Sequence, residues 1–425
     1  MPRRRTRDIP QLRLQALTHD EAFEYPAPPP FASTPQEIRL AVEQNALERG
    51  VLLIRVMVSL QVDAILEAVD ALAKAYDLED YHQAAEEANI APAALNHLSA
   101  PERRIPYPYY FCLPETLIAR PDLIFYYRNV AMLSSKVMRG IGLDTQLYER
   151  QHYPPDRETA TALARYFNAI TSNLVLEGGA TTYRHIEMMM ANLGDSLGGV
   201  SRNEVGRIAM TQAIDPVIRH LIPQGRLSAI TYSLKGRLVS PEDDEGSGAS
   251  GEQRILTNPE ADVEALLRRF EEYRVIYHRL DLSNDGRLLM NRQLTWEAPE
   301  GTTYRIGPDL HSQAGTADMV WAAELKGGAD PAGSDEHWKT ATQSFQRVLE
   351  AAEKTNRTQP KLSFIATILV ERVAREAQSW LNDGRLTSVY NLTKLYQQET
   401  EMRRYLEDMT RFLGFDGDQA APSEE

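Results

Sequence analysis

Gly307-Pro308-Asp309-Leu310, a short Ala/Gly/Thr turn, and then Met319-Val320-Trp321-Ala322-Ala323-Glu324-Leu325-Lys326-Gly327-Gly328 is the stretch that decides the fold. On a strand, side chains two residues apart leave the same face, so Glu324 and Lys326 project together, roughly 7 Å apart. If 302–311 and 317–326 pair as a hairpin, Asp309 returns near that face, and two carboxylates meet one ammonium. A bare Glu-x-Lys at a strand end is usually a solvated, salt-bridging face. Here the strand carrying it is otherwise apolar, and Asp309 precedes Glu324 by fifteen residues on a neighbouring strand. Gly327-Gly328 then leaves the backbone room for a close ligand.

The chemistry that wants such a set follows from its charges. Two carboxylates ~4 Å apart repel by about 4 kcal/mol at an effective dielectric near 20. Mg²⁺ accepts hard oxygen ligands and relieves that repulsion while keeping several waters. When bound, it would supply charge neutralisation at a phosphoryl group and an activated water. Lys326 would orient the attacking water or neutralise the phosphate as it becomes pentacovalent. A set of two carboxylates and one ammonium suits phosphodiester hydrolysis assisted by a bound metal. Asp318 is the alternative first acid, although six residues before Glu324 leave little room for a turn.

Working outward, the 425 residues divide by grammar. Residues 1–33 read as a flexible arm, opening on the basic Met1-Pro2-Arg3-Arg4-Arg5 and ending in a proline-rich run. Thr34-Pro35 caps a helix predicted to run to Gly50. Helical spacing continues over 64–75, 114–140 with a break at Pro121, 158–174 and 203–221. Residues 34–235 are thus a mainly helical domain, suited to recognition or dimerisation. Residues 236–257, acidic and Ser/Gly-rich, read as a linker or loop. Its formal GxGxxG at Gly246, Gly248 and Gly251 lacks the flanking strand and helix of a dinucleotide site. From 258 to 413 the pattern alternates: a helix with Val263, Leu266, Leu267 and Phe270 on one face, strands over 275–282, 287–297, 302–311 and 317–326, and a helix over 335–355. A buried strand over 362–370, a helix, a strand over 386–392 and a last helix over 393–413 complete it. The fold class is α/β, a mixed central sheet flanked by helices; residues 414–425 form a tail.

The chain from Pro308-Asp309 through Glu324-Leu325-Lys326-Gly327-Gly328-Ala329-Asp330-Pro331-Ala332-Gly333-Ser334-Asp335-Glu336-His337-Trp338-Lys339-Thr340 resembles the PD-(D/E)xK superfamily, and within it type II restriction endonucleases, most nearly the XcyI-like group. Phe125-Tyr126-Tyr127-Arg128 and Ser134-Ser135-Lys136 echo segments in the helical halves of such enzymes. The core resemblance covers about residues 259–395. It implies a restriction-endonuclease-like core in which Asp309 and Glu324 hold Mg²⁺ and Lys326 is the catalytic lysine. It also implies a homodimer that cuts both strands of a short palindrome in double-stranded DNA, GC-rich and six bases long for the XcyI-like group, beside a cognate methyltransferase. Ser334 or Asp335 is expected to cap the helix that follows. His337 and Lys339 lie where phosphate would pass and are candidates for DNA-backbone contact; a general-base role for His337 is redundant beside Lys326 and metal.

Composition excludes several alternatives. One cysteine, Cys112, rules out a disulfide framework and a multi-cysteine zinc site, and fits a reducing cytoplasm. No run approaches the ~20 apolar residues of a membrane span, and no apolar segment follows the basic start as a signal peptide requires. The net charge of -14 does not veto DNA, because charges more than ~8 Å apart are screened at physiological salt. Asp281, Ser283, Asp285 and Gly286 imitate a calcium loop, but Arg292 stands where its bidentate acid belongs, so a hairpin turn is expected. Met188-Met189-Met190 after His185 and Glu187 reads as core. GxxxxGK[ST] and HExxH do not occur. A repair or mobile-element nuclease, or a DNA-binding protein that keeps the fold without the chemistry, are the remaining readings.

Overall fold

The computed structural model describes residues 27–151, 153–235, 251–314 and 318–415. The basic start, most of the acidic Ser/Gly-rich segment, and residues 416–425 lie outside them. Among the described residues, the first core is built from α1 (Pro35–Ser59), α2 (Val62–Ala75), α3 (Leu78–Ala84), α4 (Pro92–Ser99), α5 (Pro114–Ala119), α6 (Leu123–Val130), α7 (Ser135–Gly140), α8 (Gln146–Gln151) and α9 (Arg157–Gly178). They pack with the first part of α10 (Arg184–Leu221), and Met189 is buried among them, so the methionine run is core. A capping box opens α1: the Thr34 hydroxyl accepts from Glu37 N, and the Glu37 carboxylate accepts from Thr34 N at 2.7 Å. The helix does not stop at Gly50 as expected but runs nine residues further, absorbing a mid-helix glycine that costs roughly 1 kcal/mol.

The second core is built on an eight-stranded sheet ordered β10-β9-β8-β7-β4-β3-β1-β2. In chain order these are β1 (Leu227–Leu234), β2 (Gln253–Leu256), β3 (Val275–Leu282), β4 (Arg287–Met290), β7 (Leu310–Ala314), β8 (Asp318–Lys326), β9 (Lys361–Ala366) and β10 (Ser388–Asn391). The strands β8, β9 and β10 run parallel and the rest antiparallel, so the sheet is mixed. On one face lie the C-terminal part of α10, α11 (Val263–Glu272) and α15 (Glu399–Phe412), packed against Trp321, Ala323 and Leu325. On the other lie α12 (Ser334–Lys354) and α13 (Glu371–Asn382), against Ala322 and Phe364. The short α14 (Leu392–Gln397) follows β10. The expected fold class, a mixed sheet flanked by helices after a mainly helical N-terminal part, is the one adopted.

Several boundaries differ from the sequence reading, each for a physical reason. β1 falls inside the stretch read as helical, and β2 inside the stretch read as linker; both are paired strands of the sheet. α10 spans 38 residues and feeds both cores, burying Leu193 and Leu197 in the first and Ala209 to Ile222 in the second. The change of core therefore falls within a helix. Residues 302–311 are not one strand: β6 (Thr303–Ile306) pairs with β5 (Leu294–Glu297) in a separate hairpin, and the chain breaks at Gly307-Pro308-Asp309 before β7. Proline supplies no N–H to a ladder, which fits the break. The stretch read as one helix over 393–413 divides into α14 and α15 at Gln398. The Ser283-Asn284-Asp285-Gly286 turn joins β3 to β4 as expected, with Asn284 Oδ1 accepting from Gly286 N at 3.0 Å.

Residues 27–33 are anchored to the sheet rather than free. Phe31 is buried, Ser33 N donates to Leu369 O at 2.8 Å, and Asn391 Nδ2 donates to Phe31 O at 3.0 Å. The Lys394 ammonium, itself buried, donates to Pro30 O at 2.8 Å. No described helix is long and apolar enough to cross a membrane.

Candidate active site

β7 and β8 pair antiparallel with Leu310 opposite Ala323 and His311 opposite Ala322. That register sets Asp309, just before β7, beside the end of β8 where Glu324 and Lys326 emerge. Lys326 Nζ donates to Glu324 Oε2 at 2.8 Å and to Asp309 Oδ2 at 3.3 Å. Asp309 Oδ2 also accepts from Leu325 N at 2.8 Å, which fixes the carboxylate against the strand. Asp309, Glu324 and Lys326, singled out in the sequence, thus converge. Asp318 sits at the other end of β8, opposite Ala314, six residues or roughly 20 Å of strand from Glu324.

The other two expectations divide. His337 packs over Gly328: a Cβ on Gly328 would meet His337 Cε1 at 2.6 Å. Burial, and then the nearby Lys326 charge, lower the His337 pKa, so its ring is a neutral neighbour of the cluster. Lys339 stands on the exposed face of α12 with its ammonium 3.8 Å from Glu336. Neither Ser334 nor Asp335 caps α12. The Ser334 hydroxyl donates to Asp330 O, and Asp335 pairs with Arg372. Asp330 caps the short 3₁₀ turn before it. The room left by Gly327-Gly328 is likewise filled by protein: a Cβ on Gly327 would lie 2.6 Å from Val205 O and 2.8 Å from Ala209 Cβ, both on α10. Because the backbone oxygen cannot swing away, Gly327→Ala is expected to cost about 1–3 kcal/mol in urea unfolding. Unchanged stability would show that α10 is not pressed against β8 there.

Two features were not legible in the sequence. Ser344, on α12, donates its hydroxyl to Glu324 Oε1 at 2.5 Å, holding the carboxylate oxygen that Lys326 does not. Beside Asp309 opens a cleft of about 300 Å³ lined by Arg202, Asn203, Arg207, Lys235 and Asn291. These residues are scattered over about ninety positions, and packing of α10 against β3 and β8 gathers them. Arg207 is also bound to Glu204 at 2.7 Å.

Burial, reinforced by the Asp309 charge, raises the Glu324 pKa to about 7, against the pull of the Lys326 ammonium and the Ser344 hydroxyl. Lys326 feels burial downward, but the two carboxylates outweigh it and its pKa rises. The trio holds two acids and one base, so it is one positive charge short of neutral. That shortage suits a cation. Among the described residues no group of three or more His, Cys, Asp or Glu is placed to hold a metal. Two carboxylates fit Mg²⁺, which binds through one or two protein carboxylates plus water and phosphate oxygens, rather than a zinc site with three or four protein ligands.

The same shortage sets a pH dependence. The folded pKa of Glu324 lies above its ordinary 4.5, so its contribution to stability is complete below about pH 4.5 and is lost as pH rises through about 7. Glu324→Gln is neutral throughout and leaves Asp309 and Lys326 as a matched pair. In metal-free buffer near pH 8 it is expected to be more stable than the parent by about 1–3 kcal/mol, with the gain gone near pH 4.5. Thermal melts at the two pH values check this; a variant less stable at the higher pH contradicts the charge imbalance.

Comparison with known proteins adds a family likeness to this geometry. Residues 310–407 match the family model described as restriction endonuclease BsobI. The matched span opens one residue after Asp309 and contains Glu324, Lys326 and Ser344. The chain is similar to the type II restriction enzyme AvaI of Nostoc sp., 42% identical over 206 residues, which cover 47% of this chain and 58% of that enzyme. AvaI of Anabaena variabilis aligns with the same values. The type II restriction enzyme BsoBI of Geobacillus stearothermophilus is 27% identical over 212 residues, covering 48% of this chain and 59% of that enzyme. The matches thus span somewhat less than two thirds of each of these relatives.

Proposed function

We propose that the protein is a Mg²⁺-dependent type II restriction endonuclease of the PD-(D/E)xK kind, hydrolysing phosphodiester bonds in double-stranded DNA at a short palindrome. The observation that carries this reading is the convergence of Asp309, Glu324 and Lys326, with the Lys326 ammonium within 3.3 Å of both acids. The likeness to AvaI and BsoBI, named as type II restriction enzymes, supports it. Asp309 and Glu324 would hold Mg²⁺, which when bound supplies charge neutralisation at the scissile phosphate and an activated water. Lys326 orients that water and stabilises the charge that develops on the phosphate. Ser344 keeps the Glu324 carboxylate turned toward the site, and the cleft lined by Arg202, Arg207 and Lys235 offers positive charge to the DNA backbone. His337, beside Gly328, is a shorter-range candidate for backbone contact than the outlying Lys339.

The reading extends to a homodimer, since a two-fold protein matches a two-fold site, and to a bacterial cytoplasmic restriction-modification system with a methyltransferase acting on the same sequence. A GC-rich six-base site is its XcyI-like form. Plasmid DNA incubated with the purified protein and Mg²⁺, beside an EDTA control, tests it. Discrete fragments from the Mg²⁺ reaction alone are expected, and mapping their ends gives the site. A smear would favour a repair or mobile-element nuclease. Intact plasmid across many sequences would leave a DNA-binding protein without the chemistry.

A further inference from the structure

One face of α1 carries a row of apolar side chains that the described chain leaves partly open to solvent, bordering the grooves between α1 and α10. Leu40, Leu47 and Ile54 recur every seven residues, and Val51 and Val58 fall four after Leu47 and Ile54. They are 52%, 67%, 62%, 37% and 72% exposed in that order. The helix is docked by a different face: Val56 is buried, and Leu52 and Met57 pack on the helical core. A spacing of alternating three and four residues is the pattern of a seam between two helices, and a contiguous exposed row of this kind marks an interaction surface rather than ordinary scattered surface apolars. A groove of about 660 Å³ runs alongside, lined by Leu47, Val51 and Arg55, and gives inserted side chains a place to go.

Charge indicates what covers it. Glu48 and Arg55 each follow a seam residue, lie seven apart on the same flank, and are exposed. Neither has an oppositely charged partner within 4 Å among the described residues. Two antiparallel helices related by a two-fold axis bring such same-flank positions together. In the register that sets Val51 against Ile54 of the partner subunit and Leu47 against Val58 of the partner subunit, Glu48 lies beside Arg55 of the partner subunit, and symmetry makes the pair twice. Sliding one helix by a heptad, to set Val51 against Leu47 of the partner subunit, opposes Glu48 to itself. The row is therefore self-complementary in one antiparallel register.

We infer that α1 is a homodimer interface, pairing antiparallel with α1 of a second copy through Leu47, Val51, Ile54 and Val58, with reciprocal Glu48–Arg55 ion pairs. The occupant is shared with the homodimer of the proposed function, while the cleavage chemistry plays no part in it. Light scattering on the full chain after size exclusion tests the surface. The parent is expected at twice the chain mass and Ile54→Asp at the chain mass, with dissociation at least about tenfold easier. Glu48→Arg and Arg55→Glu each turn the flanking pairs repulsive and weaken the dimer, whereas an equimolar mixture of the two restores attraction at both pairs and recovers it. All these positions are exposed, and a far-UV melt confirms that each variant is folded. A parent that is monomeric overturns both the interface and the homodimer reading. A dimeric Ile54→Asp overturns the α1 interface alone and leaves the homodimer to another surface. Failure of the mixture to recover dimers overturns the antiparallel register.

Discussion

On the proposed function, Lys326→Ala is expected to slow DNA cleavage by about 100- to 1,000-fold, the usual loss when one preorganised charge stabiliser is removed. The size follows from the position of the ammonium. It lies within hydrogen-bond reach of both carboxylates, is only one-fifth exposed, and among the described residues is the one cation in direct contact with them. Water admitted in its place can solvate the acids but cannot be aimed at a phosphate with a fixed positive charge. Binding of a DNA duplex containing the mapped site, followed by mobility shift, is expected to change far less than the rate, because the positive cleft beside Asp309 is made by other residues. A variant that cuts at the parent rate would remove Lys326 from the chemistry. One that neither binds nor keeps its melting temperature would assign the residue to folding instead.

The second large effect is on stability. Arg128→Met is expected to cost about 3–5 kcal/mol, the range for leaving one member of a buried ion pair alone. Arg128 is 2% exposed and grips Glu149 through two bonds of 2.7 and 2.9 Å, while a third, of 2.8 Å, reaches Leu133 O. That carbonyl also accepts from Asn192 at 3.0 Å, so the arginine ties α6, α8 and α10 into one polar knot inside the helical core. Methionine fills much of the volume but leaves the Glu149 carboxylate buried without a cation. Adding Glu149→Leu is expected to recover most of the loss, since an apolar pair of similar bulk has no charge to desolvate. Urea unfolding of the two variants checks this. An Arg128→Met protein as stable as the parent would mean that water reaches Glu149.

How far each site could be read from sequence depends on how local its geometry is. Asp309, Glu324 and Lys326 were legible because one hairpin carries all three, and period-two alternation tells which side chains share a face. Ser344 was not, since its reach to Glu324 depends on how α12 settles on the sheet, and a serine in an amphipathic helix looks like any other surface position. Arg128 stood in an aromatic run as a charge that could as well have faced solvent; its burial is decided by Glu149, twenty-one residues away. The strand β1 does not stand out in the sequence because Leu227–Leu234, buried at almost every position, lacks the alternation that marks a half-exposed strand. Gly327 and Gly328 read in the sequence as room for a ligand, but α10 and His337 fill that room.

One helix threading two cores also bears on how such a protein can change over evolutionary time. Chains made of modules joined by linkers can exchange those modules by recombination, each arriving with its folding intact. Here a cut in the acidic Ser/Gly-rich segment would strand β1 and half of α10 on the wrong side, and the sheet would be left without a strand pair and a covering helix. At ~1.5 Å per residue, α10 is a strut of roughly 57 Å. Swapping the helical half between relatives would require joining the two parents in helical phase, because each residue gained or lost turns one core by ~100° against the other. Such a protein can diversify its surface residue by residue, but its halves are inherited as a pair.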